Sequence, residues 1–281
     1  MSHSTRPQGL LWRWVLGLVI AAGLVCSFIL PGRPVDPSLA GPLLPVAGPP
    51  SGAERTAAFR FAVCGDNRQG EGIYRQILAR AQADGSAFLI NTGDLVNAGT
   101  ERQFKAFAAL MRGFSLPFYP VPGNHDNADG LLTAYLRHSG APAANYAFDY
   151  GLAHFALVDS SLGDVAPSVM AWLAQDLEST RQPLKFVVVH HPPFDPAGTA
   201  HIMRRGNTQF MQLMVEKRVD WVLAGHIHSF DHQVRDGVHY LITGGAGAPL
   251  YPVPNRPAFH HYVRFSVQGE QVHFEVARVE E

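Results

Sequence analysis

From residue 57 onward, short apolar runs alternate with segments of helical spacing, which is the pattern of an α/β domain. The apolar runs predict buried strands in FRFAVC, AFLINTGD, LPFYPVPGNHD, LKFVVVHHPP and VDWVLAGHIHSF. Apolar positions three and four apart predict helices over GIYRQILARAQAD, ERQFKAFAALMRG, VMAWLAQDLEST and TQFMQLMVEKR. NYAFDYG and HFALVDS predict a hairpin, and the period-two alternation of the tail predicts antiparallel strands. No internal repeat interrupts this pattern, so we expect one domain over residues 57–281.

The N-terminal segment contains an uncharged apolar run over residues 14–30. At the helical rise this run covers about 25 Å, just enough to span hydrocarbon, so it predicts a transmembrane helix. Basic residues in segment 1–13 place that segment in the cytoplasm, and the remaining chain would then be periplasmic, held by one pass through the inner membrane. Residues 31–56, rich in proline and glycine, predict an extended linker. The alternative is a cleaved signal, which would make the protein secreted.

Polar residues follow the predicted strands at the points where the strands end. These residues are Asp66, Asp94, Asn124, His190 and His226. The carboxyl ends of strands in an open α/β sheet border the crevice where ligands bind, so we expect these side chains to converge.

Two histidine motifs add to this expectation. In GHIH, alternate residues of a strand point to the same side, which would bring His226 and His228 together. The pair His190–His191 is a weaker signal, because adjacent histidines also occur as buried structural pairs. Taken in order with the two aspartates and the asparagine, these motifs predict a metal site.

Composition removes several other classes of function. The chain has 22 basic and 23 acidic residues, so no charge imbalance points to nucleic acid as a partner, and no feature predicts nucleic-acid binding. Its two cysteines, Cys26 and Cys64, exclude a disulfide framework and a zinc knuckle. Fourteen histidines leave ample material for metal ligands.

The order GDNR, GDLVNAG, GNHD, VVVHHPP and GHIH resembles the motifs of the calcineurin-like metallophosphoesterases, GDxH, GDxx, GNHD/E, H and GHxH. The resemblance covers residues 57–281. It implies a four-layer αββα sandwich of two mixed sheets flanked by helices, preceded here by the predicted transmembrane helix. It also implies two divalent or mixed-valence metal ions at the sheet ends.

The resemblance assigns ligands residue by residue. Asp94 would bridge the two metal ions, and the remaining ligands would be Asn124, His190 and His226 for the second ion and Asp66 and His228 for the first. His190 is preferred to His191 because the family places the ligand at the first histidine. Mixed imidazole, carboxylate and amide ligands suit manganese, iron or zinc.

The motif GNHD also implies two catalytic residues. His125 would donate to the phosphate or protonate the leaving oxygen, and Asp126 would fix the tautomer of His125. For Asp126, an N-cap of a helix beginning near Ala128 is the simpler alternative, and both roles are compatible.

Arg68 departs from the family pattern, because it stands where the first motif has a histidine ligand. A guanidinium has no lone pair for a metal. Purple acid phosphatases also lack this histidine, but they supply a tyrosine three residues after the second aspartate, and that later position is Asn97 here. Either the first metal site is weak, or Arg68 binds the phosphate of the substrate through its forked donors. A surface arginine is the plain alternative, and Asn67 is a further candidate substrate contact.

His201 lies in a predicted loop over the groove and is a candidate substrate contact, with an exposed loop histidine as the alternative. The resemblance implies a hydrolase that cleaves a phosphomonoester or phosphodiester by attack of a metal-bound hydroxide at a binuclear centre, and the N-terminal apolar run predicts that it is tethered to the membrane. The alternative is a sensor that binds metal or phosphate without catalysis, which the Arg68 departure makes conceivable.

Overall fold

Strands and helices alternate along the part of the chain that the structure, a computed structural model, describes: residues 58–196, 198–251 and 258–280. The strands are β1 (Ala58–Cys64), β2 (Leu89–Asn91), β3 (Phe118–Pro120), β4 (Tyr146–Tyr150), β5 (Ala153–Leu157), β6 (Leu184–Val188), β7 (Trp221–Ala224), β8 (Phe230–Arg235), β9 (Val238–Thr243), β10 (His260–Gln268) and β11 (Gln271–Val279). The helices are α1 (Glu71–Ala83), α2 (Glu101–Leu110), α3 (Thr133–His138), α4 (Pro167–Ser179) and α5 (Asn207–Glu216). Each predicted helix is confirmed, each predicted strand is present over part of its predicted run, and α3 is an addition.

The strands form two mixed sheets. The first has the order β11-β10-β1-β2-β3, and the second has the order β4-β5-β6-β7-β9-β8. In the first sheet β1, β2 and β3 are parallel, whereas β10 and β11 are antiparallel. In the second, β5, β6, β7 and β9 are parallel, and β4 and β8 are antiparallel edges. The predicted hairpin and antiparallel tail are therefore confirmed, although β9 also pairs in parallel with β7.

Aromatic side chains fill the layer between the two sheets. The ring of Phe61 in β1 lies 5.3 Å from the ring of Phe155 in the second sheet. Successive residues of a strand face opposite sides, so Cys64 points away from this layer. There the amide of Asn91 lies 3.8 Å from Cys64 Sγ and 3.4 Å from the hydroxyl of Tyr74 in α1. Helix α1 therefore covers the outer face of the first sheet.

A separate buried cluster covers the outer face of the second sheet. Val187 of β6 and Val222 of β7 pack there with Leu173 of α4 and Phe210 of α5. Phe186, the neighbour of Val187, belongs instead to the layer between the sheets. The order of layers is therefore helix, sheet, sheet, helix, as predicted, and the period-two alternation of the strands produces it.

The prediction that GHIH lies on a strand is wrong. Strand β7 ends at Ala224, and residues 225–229 form a tight loop before β8. His226 has a left-handed backbone with φ of 68°, which no strand residue adopts. Its backbone N–H donates to Asp66 Oδ2 over 2.9 Å, so a contact with the first sheet holds the loop in this shape.

Three predictions lie outside the described residues: the cytoplasmic segment 1–13, the transmembrane helix 14–30 and the linker 31–56. Among the described residues, none of the helices combines the length and the apolar character needed to cross a membrane.

Candidate metal centre

The predicted ligands lie in the loops that leave the parallel strands of both sheets. Asp66, Asp94 and Asn124 follow β1, β2 and β3 of the first sheet, and the two histidine motifs follow β6 and β7 of the second. Because the sheets face each other, these loops meet at one edge of the sandwich. They form a first ligand group of Asp66, Asp94 and His228, and a second ligand group of Asp94, Asn124, His190 and His226.

Three of these residues have left-handed backbones. The φ angles are 61° at Asp66, 57° at Asp94 and 68° at His226. A non-glycine residue rarely adopts this region, and holding it costs about 1–3 kcal/mol per residue. Such strain persists only where the surrounding structure enforces it, so its concentration in the ligand loops marks a functional site.

In the second ligand group, acceptor atoms converge on one point. His190 Nδ1 faces the carbonyl oxygen of Thr92 at 2.8 Å, so this nitrogen carries the proton and Nε2 carries a lone pair. That Nε2 atom lies 3.1 Å from Asn124 Oδ1, 3.1 Å from His226 Nδ1 and 3.4 Å from Asp94 Oδ1. Burial, together with the neighbouring histidines, lowers the pKa of His226 and keeps its ring neutral. Lone pairs that face one another in this way fit a transition metal ion.

The first ligand group is buried as well. His228 Nδ1 faces the carbonyl oxygen of Pro249 at 2.7 Å, and Nε2 lies 3.4 Å from Asp66 Oδ1. This Asp66 oxygen is buried and has no hydrogen-bond partner among the described residues. Burial alone would raise the pKa of Asp66, but the nearby His228 and His190 imidazoles lower it, so the carboxylate stays charged. A buried, charged and unpartnered oxygen beside an imidazole nitrogen also fits a cation.

His191, which the family pattern does not assign as a ligand, lies beside the second ligand group. Its ring centroid lies 4.1 Å from that of His226 and 4.9 Å from that of His190. Burial lowers the pKa of His191 to about 3, so the ring is neutral. His190 Nε2 faces Asn124 and Asp94 directly, and this geometry favours His190 over His191 as their partner in binding metal.

Arg68 points at the carboxylate of Asp94. Its Nε atom lies 3.3 Å from Asp94 Oδ2, and its Nη1 atom donates to Asn97 Oδ1 over 3.2 Å. Only 13 % of its side chain is exposed, so the alternative of a plain surface arginine is wrong. Asn67, the other predicted substrate contact of this loop, instead braces the loop from a buried position. It donates to the carbonyl of Leu95 over 3.0 Å and accepts from Asn91.

His125 lies at the edge of the centre with about a third of its side chain exposed. Its backbone N–H donates to Asp94 Oδ1 over 2.9 Å. Its Nδ1 atom faces the carbonyl oxygen of Asn97 at 2.7 Å, and a carbonyl can only accept, so Nδ1 carries a proton. Nε2 is thereby turned toward the centre and lies 4.0 Å from Asp94 Oδ2.

The prediction that Asp126 orients His125 is wrong, because the carbonyl of Asn97 does so. The buried Asp126 carboxylate instead accepts from the backbone N–H groups of Leu95, Val96 and Gly123 over 2.9–3.2 Å. Burial and the nearby charge of Asp94 raise the pKa of Asp126 to about 7. Asp126 is the last residue of a short 3-10 turn, Asn124–Asp126, and its side chain caps the start of that turn. The alternative, a cap for a helix beginning near residue 128, is therefore wrong, because the capped turn lies before that residue. Asp126 ties the loop after β2 to the loop after β3.

His201 and Tyr251 form an aromatic rim beside the ligands. The ring of His201 lies 5.3 Å from that of His226 and stacks at 5.0 Å on Tyr251, which in turn stacks at 4.3 Å on His228. His201 is thus half-buried against the centre, and the alternative of an exposed loop histidine is wrong. No sequence motif predicts a role for Tyr251. The only signal for it is its place directly after a glycine-rich segment that closes on the site.

Comparison with known proteins gives a consistent result. A model of the calcineurin-like phosphoesterase family matches residues 59–230. The chain is 27 % identical over 153 residues to the probable glycerophosphodiester phosphodiesterase GpdQ of Arcobacter nitrofigilis, covering 50 % of this chain and 56 % of the relative. It is 27 % identical over 149 residues to the cyclic adenosine monophosphate phosphodiesterase CpdA of Escherichia coli K12, covering 50 % of this chain and 54 % of that relative. The chain thus spans about half the length of these curated relatives.

A solved structure extends the likeness in fold. The purple acid phosphatase PPD1 from yellow lupin superposes with a TM-score of 0.66 at 16 % identity, covering 78 % of this chain and 51 % of that protein. At this level of identity the match speaks for the fold alone.

Proposed function

Because the chain belongs to the calcineurin-like phosphoesterase family, we propose that it hydrolyses phosphoester bonds at a centre of two transition metal ions, of manganese, iron or zinc. Asp66, Asp94 and His228 would hold one ion, and the second ligand group would hold the other, with Asp94 shared. When bound, such ions supply Lewis acidity at the phosphoryl group.

One observation carries this proposal: the convergence of lone pairs on His190 Nε2. The Thr92 carbonyl fixes the tautomer of His190, and Asn124 Oδ1 and His226 Nδ1 both lie 3.1 Å from the free nitrogen. Four groups that can each offer a lone pair meet here, and a bound cation would satisfy them together, since buried acceptors without donors are costly. The donor set therefore supports a metal-dependent enzyme.

His125 would act on the substrate and not on the metal. Since Nδ1 donates to the Asn97 carbonyl, Nε2 is the atom that faces the centre. When Nε2 is protonated, it can donate to a phosphate oxygen or give its proton to the leaving alkoxide. The carbonyl of Asn97 orients the ring, and Asp126 holds the two loops that carry Asn97 and His125 in register.

The test uses the full-length chain, its metal content, and the hydrolysis of p-nitrophenyl phosphate and bis(p-nitrophenyl) phosphate with each candidate metal. We expect the wild type to cleave at least one ester, Asn124→Ala to lose metal and turnover together, and His125→Ala to keep the metal while losing turnover. A wild type that binds metal and inorganic phosphate but cleaves neither ester would contradict the proposal and support the sensor.

We also propose that residues 14–30 anchor the protein in the inner membrane, with the hydrolase domain on the periplasmic side. The uncharged run and its basic N-terminal flank support this topology. Alkaline extraction of membranes and protease accessibility in spheroplasts test it. Recovery of a shortened chain in the soluble periplasmic fraction would instead indicate a cleaved signal.

A further inference from the structure

A cleft of about 440 Å³ opens beside the metal centre. It lies between the loops after β1 and β2 and one face of α2. Arg68 and Asn97 form the wall that the cleft shares with the centre, since Arg68 contacts both Asp94 Oδ2 and Asn97 Oδ1. Clefts of about 300–1,000 Å³ are those that hold small organic ligands.

One face of α2 forms the far wall of the cleft. The residues that α2 contributes are spaced three and four apart along the helix: Gln103, Ala106, Phe107 and Leu110. Leu95 and Val96 add further apolar surface from the loop after β2. This wall therefore offers a ligand an apolar surface with an amide at one end.

Side-chain amides supply hydrogen bonds. Gln103 Oε1 accepts from the backbone N–H of Ala98 over 2.7 Å, and Asn97 Oδ1 accepts from Gln69 Nε2 over 2.6 Å. These contacts fix the orientation of both amides. Within the described ranges, Gln103 Nε2 and Asn97 Nδ2 have no hydrogen-bond partner, so two N–H donor groups remain for a ligand.

The charged side chains of the cleft are already paired. Arg68 contacts Asp94, and the Glu71 carboxylate accepts two hydrogen bonds from Arg75, at 3.0 and 2.7 Å. Among the residues that the structure describes, a charged ligand group would meet there only Arg68, which is held by Asp94, and the exposed Glu71–Arg75 pair. An apolar surface with two donor amides instead suits an uncharged group that carries hydrogen-bond acceptors.

We propose that this cleft binds the second alcohol group of a phosphodiester substrate, and that this group is uncharged and rich in acceptors, as a nucleoside or a sugar is. The inference rests on the proposed function, because it requires the phosphate to bind at the metal centre. A phosphomonoester has no second group to place in the cleft. The cleft therefore selects diesters, and among diesters it disfavours those with a cationic second group.

The experiment compares three esters that share one leaving group: p-nitrophenyl phosphate, thymidine 5′-(p-nitrophenyl phosphate) and p-nitrophenyl phosphorylcholine. We expect the wild type to cleave the thymidine ester with a kcat/KM about tenfold above that of the choline ester. Ala106→Trp fills the cleft from an exposed position of α2. This substitution should raise KM for the thymidine ester about tenfold and leave KM for p-nitrophenyl phosphate unchanged. Lys105→Trp, at an exposed position of α2 that does not line the cleft, is the matched control and should change neither.

A second variant tests the amide without changing volume. Gln103→Glu keeps an oxygen for the N–H of Ala98 but removes the donor group, so KM for the thymidine ester should rise while p-nitrophenyl phosphate stays unaffected. If Ala106→Trp alters both substrates equally, or neither, the cleft proposal is overturned while the hydrolase proposal stands. Thermal unfolding of each variant confirms that it folds.

Absence of hydrolysis of all three esters would defeat the proposed function, and calorimetry with thymidine 5′-monophosphate then decides on the cleft. Binding that Ala106→Trp weakens and Lys105→Trp does not would support the cleft. Equal binding by all three proteins, or no binding at all, would overturn it.

Discussion

Arg68→Gln should strengthen metal binding at the first ligand group. The Arg68 guanidinium contacts Asp94 Oδ2, whereas His190 contacts the other carboxylate oxygen, Oδ1. A metal ion that binds Oδ2 must therefore compete with the positive charge of Arg68. At 3.3 Å and an effective dielectric constant of about 20, the Arg68–Asp94 attraction is about 5 kcal/mol. The cost of removing both charged groups from water offsets most of this attraction. If only about 1.4 kcal/mol remains, removing the charge tightens metal binding about tenfold.

Calorimetric titration with Mn²⁺, joined to elemental analysis of metal per chain, measures this effect without reference to activity. The wild type should bind one ion tightly and a second one weakly, and Arg68→Gln should tighten only the weak step. Arg68→His, which adds an imidazole, should tighten it further. Arg75→Gln, which removes an exposed arginine from α1, is the control. Two equal affinities in the wild type, or an unchanged weak step in Arg68→Gln, would refute the reasoning.

Three further predictions concern catalysis and stability. His125→Ala should lower kcat about 10²–10⁴-fold with metal content unchanged, as measured by steady-state kinetics beside elemental analysis. Phe61→Ala should destabilise the fold by about 3–5 kcal/mol in urea unfolding, because it empties the layer between the sheets. Burial opposes the charge of His154, but hydrogen bonds to Asp176 at 2.8 Å and Asp149 at 2.7 Å raise its pKa above 6.5. The stability that charged His154 supplies is therefore complete below pH 6.5 and lost as pH rises through the raised pKa. His154→Gln should flatten that part of the pH profile relative to wild type.

The family resemblance implied the layers and the strand ends predicted the convergence of the site, and local patterns in the structure account for both. Alternation along β1 and β6 alone decides that Phe61 and Phe186 face the inner layer while Cys64 and Val187 face helices. The position of Asp94 at the end of a parallel strand likewise places it at the carboxyl edge of the sheet. Such predictions need only the period of the strand and the direction in which it runs.

The direction of individual side chains was harder to predict. Asp126 is adjacent to His125, yet the 3-10 turn sends its carboxylate to the amides of Leu95 and Val96, about 30 positions earlier in the chain. No local pattern encodes that contact. The alternation in GHIH predicted a strand at His226, but the left-handed turn at that residue depends on Asp66 in the loop after β1.

The glycines of the motifs explain how these loops approach each other so closely. A Cβ atom on Gly93 would lie 2.7 Å from His190 Nδ1, and one on Gly225 would lie 2.6 Å from Asp66 Oδ2. Real Cβ atoms do not come this near to other atoms, so any side chain at either position would push apart two loops that come from different sheets. Each of these glycines directly precedes a ligand with a left-handed backbone, Asp94 or His226. The pairs Gly-Asp and Gly-His are therefore one structural unit, in which the glycine admits the opposite loop and the next residue turns its side chain toward the metal centre. This is why such short motifs carry information about a site assembled from both sheets.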